Sequence, residues 1–268
     1  MQRRGRHELI VAILGFGLLF LATLPAAAID KKQVVTQARA AYYNLKAQGL
    51  TDFRCNATPN WAKMLEGVRQ KDPAQFERAL DILKQLSFDV AVNTNGKTQV
   101  THNTPAAGNA DVAAGFADIY KGMEQMMSGF FDTWSPFAFD AILPEPGGDY
   151  QLSDSGTQYR LMYKDGAADV ETTMGRDFAI SEVKVTTATF RSSLRPQLSK
   201  GAEGFVLTGY TAHYEGKRKD EATHLEVSIN YQQISGVKLP QTLNLKGSYG
   251  ANAFQIELGF SGCQANKR

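Results

Sequence analysis

Between Glu221 and Cys263 the chain changes side with every residue, and few backbones other than a sheet can satisfy that pattern. Leu225, Val227, Ile229 and Tyr231 alternate with Glu226, Ser228, Asn230 and Gln232. Leu243 and Leu245 alternate with Asn244 and Lys246, and Phe254, Ile256, Leu258 and Phe260 with Gln255, Glu257, Gly259 and Ser261. A period of two places the apolar side chains on one face of a pleated strand and the polar ones on the other. The connections, Ser235-Gly236 leading to Pro240 and Tyr249-Gly250-Ala251-Asn252, are short, so the three strands pair as an antiparallel meander. Such a sheet has one oily face that something must cover.

The strand pattern extends upstream. After Pro144-Glu145-Pro146-Gly147-Gly148, the runs Tyr150 to Ser153, Thr157 to Lys164, Ala168 to Met174, Ile180 to Phe190 and Gly204 to Tyr214 each read as strands. Ser155-Gly156, Asp165-Gly166 and Gly175-Arg176-Asp177 separate them, and Arg191 to Glu203 reads as a longer loop. Eight successive strands without helices imply a strongly curved sheet or a barrel, because open twisted sheets of that width curl. Helices from the first half must then fill or cap the concave face.

Those helices are legible. Asp30 opens one that runs to about Gln48, with Val34, Ala38, Ala41, Tyr42 and Leu45 on a single stripe. A strand from Phe53 to Trp61 carries Cys55, and Pro59 places it near an edge or its end. A helical region from Trp61 to Leu86 breaks at Asp72-Pro73, a capping residue followed by proline at the first helical position. Phe88 to Val92 and Lys97 to His102 form a hairpin about Asn93-Thr94-Asn95-Gly96. After a flexible Thr104 to Asn109 segment, a helix from Asp111 to about Phe131 presents Val112, Phe116, Ile119, Tyr120, Met123, Met127, Phe130 and Phe131, with Trp134 just beyond. Methionine is unbranched and adaptable. Two readings of this face stand open: ordinary core, or a movable lid over an apolar cavity.

Residues 1–28 read as a secretory signal, with a basic start, an apolar run from Leu9 to Leu24, and Ala26-Ala27-Ala28 suited to cleavage. The alternative is a retained anchor, although the run is short for a spanning helix of roughly 20 residues. No cysteine follows the cleavage point to receive a lipid. The expected product, residues 29–268, is one periplasmic domain with its helices mainly within 30–143 and a β meander over 149–263. Removing Arg3, Arg4, Arg6 and Glu8 from 29 basic and 27 acidic residues leaves 26 of each. A neutral mature chain gives no electrostatic case for nucleic acid or an anionic membrane surface.

The sequence has no Gly-x-Ser-x-Gly, no His-Glu-x-x-His, no phosphate loop and no dinucleotide fingerprint. His213 and His224 flank a charged turn and could face one another, but a metal there would need further ligands, so they read as surface histidines. The expectation is therefore no metal, no cofactor and no catalysis. Cys55 and Cys263 form an even count in an exported chain and read as a disulfide joining first and last strands, with two unpaired thiols as the alternative.

The order of these features resembles the periplasmic lipoprotein carriers LolA and LolB and their relatives. The local likeness lies in Leu225-Glu-Val-Ser-Ile-Asn-Tyr-Gln-Gln-Ile-Ser-Gly-Val-Lys-Leu-Pro-Gln-Thr-Leu-Asn-Leu, a strand, a glycine turn and a Leu-Pro start to the next strand. The resemblance implies a half-open β-barrel covered by helices, mainly β with α, whose apolar concavity holds acyl chains. The region Trp61 to Leu86 and the Met-rich helix are longer than in the carriers, and no cargo-gripping polar residue matches. The expected function is binding or carriage of a lipid, a lipoprotein acyl chain or another hydrophobic ligand. Met123, Met127, Phe130, Phe131 and Trp134 would line the site from the lid and Leu225, Val227 and Ile229 from the sheet. The rival is a structural or protein-interaction module of the envelope with a fully packed core.

Overall fold

The computed structural model describes residues 30–106, 108, 110–140, 142–216, 222–250 and 252–268. The proposed signal segment, residues 1–28, lies outside them, as do parts of the expected Thr104 to Asn109 segment and of the charged turn after Gly216. Among the described residues no helix is long and apolar enough to cross a membrane.

The second half is an unbroken antiparallel meander: β4 (Tyr150–Asp154), β5 (Gln158–Asp165), β6 (Ala168–Gly175), β7 (Ile180–Thr186), β8 (Arg191–Gly201), β9 (Gly204–Glu215), β10 (Thr223–Ile234), β11 (Val237–Tyr249) and β12 (Asn252–Lys267). The first half contributes β1 (Leu50–Pro59), β2 (Phe88–Asn93) and β3 (Thr98–His102). β1 pairs antiparallel with β12, from Leu50 opposite Lys267 to Pro59 opposite Leu258. The result is a 12-stranded sheet in the order β3-β2-β1-β12-β11-β10-β9-β8-β7-β6-β5-β4. Its edges, β3 and β4, do not meet, so the curved sheet is a half-open barrel.

The helices are α1 (Lys31–Ala40), α2 (Trp61–Met64), α3 (Glu66–Lys71), α4 (Pro73–Leu83) and α5 (Ala110–Ser135), the last followed by a π-helical turn over Pro136–Asp140. Asp72 caps α4 by accepting from Gln75 N at 2.9 Å, with Pro73 at the first helical position. Trp134 falls inside α5 rather than beyond it. α5 lies on the concave face, where Phe131 meets Phe53 of β1 and Phe260 of β12, and Trp134 meets Tyr231 of β10.

Two further sequence expectations are corrected. The run from Arg191 to Glu203 is mostly strand, not loop, because β8 pairs with β9 from Arg191 opposite Glu215 to Gly201 opposite Gly204. Pro196 is tolerated there because the β7–β8 ladder ends at Leu194, so beyond that point β8 has a strand on one side only. The first helix stops at Ala40 instead of about Gln48. The chain leaves it to cross the turn end of the β8–β9 hairpin, where Phe205 N donates to Ala41 O at 2.8 Å and Tyr43 N to Phe205 O at 3.0 Å. A Cβ on Gly204, at φ +110°, would lie 2.6 Å from Ala41 O, so this crossing needs glycine. Tyr42 stays buried by a different route from the expected stripe, its Oη accepting from Ile180 N at 2.8 Å, and Tyr43 is buried beside it with Oη accepting from Lys238 N at 3.0 Å.

The Cys55 and Cys263 sulfurs lie 2.07 Å apart and their Cα atoms 4.1 Å apart, across a separation of 208 residues. The β1–β12 register shifts between Arg54 and Asn56, which turns Cys55 toward Cys263. Gly262, at φ +58°, makes the bulge possible, since a Cβ there would sit 2.6 Å from Asn56 Oδ1. Replacing both cysteines with alanine is expected to lower the unfolding free energy by about 2–5 kcal/mol, read from urea denaturation in matched non-reducing buffer. Two free thiols titrated in the denatured, unreduced wild-type protein would contradict the bond.

Candidate functional site

The lid residues named from the sequence converge. Met123, Met127, Phe130, Phe131 and Trp134 are all buried on one face of α5, spaced by three and four residues. Val227 and Ile229 are buried in the same apolar cluster, and Leu225 packs at its margin. Around Phe131 the rings of Phe53, Phe130, Trp134 and Phe260 stand 4.8–6.0 Å away by centroid, mostly edge to face. Trp134 Nε1 donates to Tyr231 Oη at 2.9 Å, which in turn donates to Leu207 O at 2.5 Å. This chain satisfies both buried polar groups where the helix meets the sheet. The space beside Trp134, lined by Tyr43, Leu45, Phe137, Phe205 and Tyr231 among others, amounts to about 10 Å³. That is room for about one water.

Open space lies at the other end of the same face. A cleft of about 520 Å³ is floored by Val170 of β6 and Val183 and Val185 of β7, and walled by Pro136, Ile142 and Leu143. Arg39, Glu145, Tyr163 and Lys164 stand around it. Arg39 staples one wall, donating to Leu143 O at 2.8 Å, Pro144 O at 3.3 Å and Glu145 Oε1 at 2.8 Å. Lys164 is 2.5 Å from Asp169. A second hollow of about 590 Å³ shares Asp149, Tyr163, Lys164 and Val170 with the first and continues past Tyr150 and Met162. The π-helical turn divides the two regions. Pro136 lines the open cleft, whereas Phe137 and Ala138 line the small void beside Trp134.

Sequence reasoning missed the cleft residues. Their strand alternation was visible, but nothing local says which part of the apolar face the segment after α5 leaves uncovered. The one hint is Pro144-Glu145-Pro146-Gly147-Gly148, a stretch that can form neither helix nor strand and so must pass over the sheet irregularly.

Among the described residues, no group of three or more His, Cys, Asp or Glu is arranged to hold a metal. Burial pushes the phenols of Tyr42, Tyr210 and Tyr231 far above their ordinary range. The fold thus defines a half-open antiparallel barrel with a helical cover and an open cleft that joins apolar side chains to a charged rim. The chain matches no protein-family profile, no curated protein and no solved structure.

The buried phenols fix a pH response. A raised folded-state value favours the neutral form, so these tyrosines contribute fully below the unfolded phenol value of about 10 and progressively less as pH rises above it. The urea midpoint is expected to hold through pH 8–9 and to fall from about pH 10 upward. Tyr231→Phe should cost about 1–3 kcal/mol at neutral pH by orphaning the Trp134 N–H, and should shallow the alkaline fall. An unchanged midpoint in Tyr231→Phe would show that the Trp134–Tyr231 bond does not hold the helix to the sheet.

Proposed function

We propose that this protein is a non-catalytic periplasmic binding or carrier protein for a lipid, a lipoprotein acyl chain or another hydrophobic ligand, as in the LolA- and LolB-like carriers it resembles. The observation that carries the reading is the open cleft on the concave face, floored by half-buried Val185 over the nearly covered Val170 and Val183, and separated from the Met- and Phe-rich lid by one π-helical turn. Concave, mostly apolar sites with a few polar groups at the mouth suit small hydrophobic ligands. Arg39 and Lys164 stand at the cleft, each already paired with a carboxylate, Glu145 and Asp169, so an anionic headgroup there would have to displace those partners. The π-helical turn ends α5 and leads directly into the wall of the cleft. Displacing that turn would extend the cleft toward Trp134, the place expected from the sequence. The pair of cysteines at bonding distance fits an oxidising compartment.

A second reading rests on a different observation. The lid side chains are nearly inaccessible and the void beside Trp134 is small, which suits a structural module of the envelope whose partner is another protein.

Two measurements separate them. Protein purified from a periplasmic extract, denatured and analysed by mass spectrometry, is expected to release lipid. The delipidated protein is expected to bind cis-parinaric acid with a rise in fluorescence. Val185→Trp, which fills the cleft from a half-buried position, should weaken that binding about tenfold or more while leaving the far-ultraviolet circular dichroism unchanged. No released lipid together with no parinaric acid uptake would overturn the carrier reading.

A further inference from the structure

On the outer face of the sheet, away from the cleft, His213 of β9 and His224 of β10 stand directly opposite one another. Their Nδ1 atoms are 3.1 Å apart and their ring centroids 4.1 Å apart. Only one proton fits between the two nitrogens, so one imidazole must present an Nδ1 lone pair to the other. Glu215 identifies which one. Its Oε1 lies 3.0 Å from His213 Nε2, and a carboxylate there accepts from Nε2–H, so with both rings neutral His213 Nδ1 is the acceptor. His224 Nδ1–H is then the donor.

We propose that this pair is a surface site for a divalent late transition metal, with His213 and His224 as the protein ligands and water completing the shell. Two nitrogens 3.1 Å apart, each about 2.05 Å from one metal, subtend about 98° at it, between the tetragonal and tetrahedral values. Adjacent strands in fixed register hold both ligands side by side, and the rings, now stacked with their planes 26° apart, need only turn about their side-chain torsions to aim both lone pairs at one metal. Glu215 supplies the carboxylate behind the imidazole that metal-ligating histidines commonly have, which orients the ring. The flanking residues in register, Ser193 on β8 and Ser248 on β11, are small and uncharged, so neither repels a cation. The His213 side chain keeps 34% of its surface in solvent, which leaves room for water ligands.

On binding, the proton on His224 Nδ1 passes through water to its own Nε2, and both Nδ1 lone pairs go to the metal. No charge is lost from the protein. Imidazole sites follow the common affinity order, so copper(II) should bind more tightly than nickel(II) or zinc(II).

The test is a titration of the full, chelator-stripped protein with copper sulfate in a non-coordinating buffer, followed by calorimetry and electron paramagnetic resonance. One equivalent is expected at this site, with hyperfine structure from two nitrogens. His213→Ala and His224→Ala should each weaken it about a hundredfold. Glu215→Gln should weaken it about tenfold without changing the two-nitrogen signature. His102→Ala, on β3, should leave the affinity within twofold. Binding that survives unchanged in the double variant H213A/H224A, or a signal without two imidazole nitrogens, would overturn the proposal. All the substituted side chains are exposed or half-exposed, and circular dichroism on each variant separates loss of the site from loss of fold.

Discussion

The pairing of β1 with β12 decides the form of the rest. Without it the chain would be a nine-stranded meander plus a separate hairpin and helices. With it, β3-β2-β1 extends the sheet past the last strand of the meander and carries α5 onto the concave face. The ladder joins residues some two hundred positions apart, the kind of contact that loop-closure entropy opposes most. The Cys55–Cys263 pair sits at the bulge in this same ladder, so the covalent link constrains the unfolded chain where non-covalent pairing is entropically hardest.

Once α5 is placed, its composition matters. Methionines at 123 and 127 and aromatic rings at 130, 131 and 134 fill a surface of changing curvature without requiring a single rigid fit. Polar contact is sparse by comparison. The Trp134–Tyr231–Leu207 chain fixes the C-terminal end of the helix, and Tyr120, nearer its middle, stacks on His102 with ring centroids 3.6 Å apart. The helix is held largely by non-directional contact, and that permits sliding or lifting more readily than a hydrogen-bonded ladder does.

Much of this was legible in the sequence for one reason: strand alternation, caps and turn glycines are local signals. The hairpin at Asn93–Gly96, the Asp72 cap and the meander from Leu225 onward follow from residues within a few positions of each other. What was illegible depends on distant partners. β8 looks like a loop because Ser192, Ser193, Arg195 and Pro196 dilute its alternation, and only β9 beside it makes it a strand. The end of α1 is set by Phe205, which competes successfully for the backbone of Ala41 and Tyr43. The cleft is set by where Ile142 and Leu143 come to rest on β6 and β7, which no run of neighbouring residues encodes. The expected lid residues do gather in one cluster, but the open volume lies one turn away from them.

That displacement constrains how a hydrophobic ligand would be held. Fully lifting the lid would expose Met123, Met127, Phe130, Phe131 and Trp134, at roughly 2 kcal/mol each, so on the order of 10 kcal/mol in all. Each methylene of an acyl chain buried in their place returns about 0.8 kcal/mol. About a dozen methylenes would therefore be needed merely to offset a complete opening, before the ligand's own lost freedom is counted. Occupying the existing cleft exposes none of those side chains. Moving only the π-helical turn disturbs Phe137 and Ala138 at its boundary with the void beside Trp134. The energetically consistent route therefore begins on Val170, Val183 and Val185 and reaches toward Trp134 through local rearrangement of Pro136–Asp140, with α5 staying on the sheet. A chain held that way would be bound weakly at first and more tightly as it lengthened. A fully lifted lid would instead make affinity negligible for short chains and steep only beyond the offset.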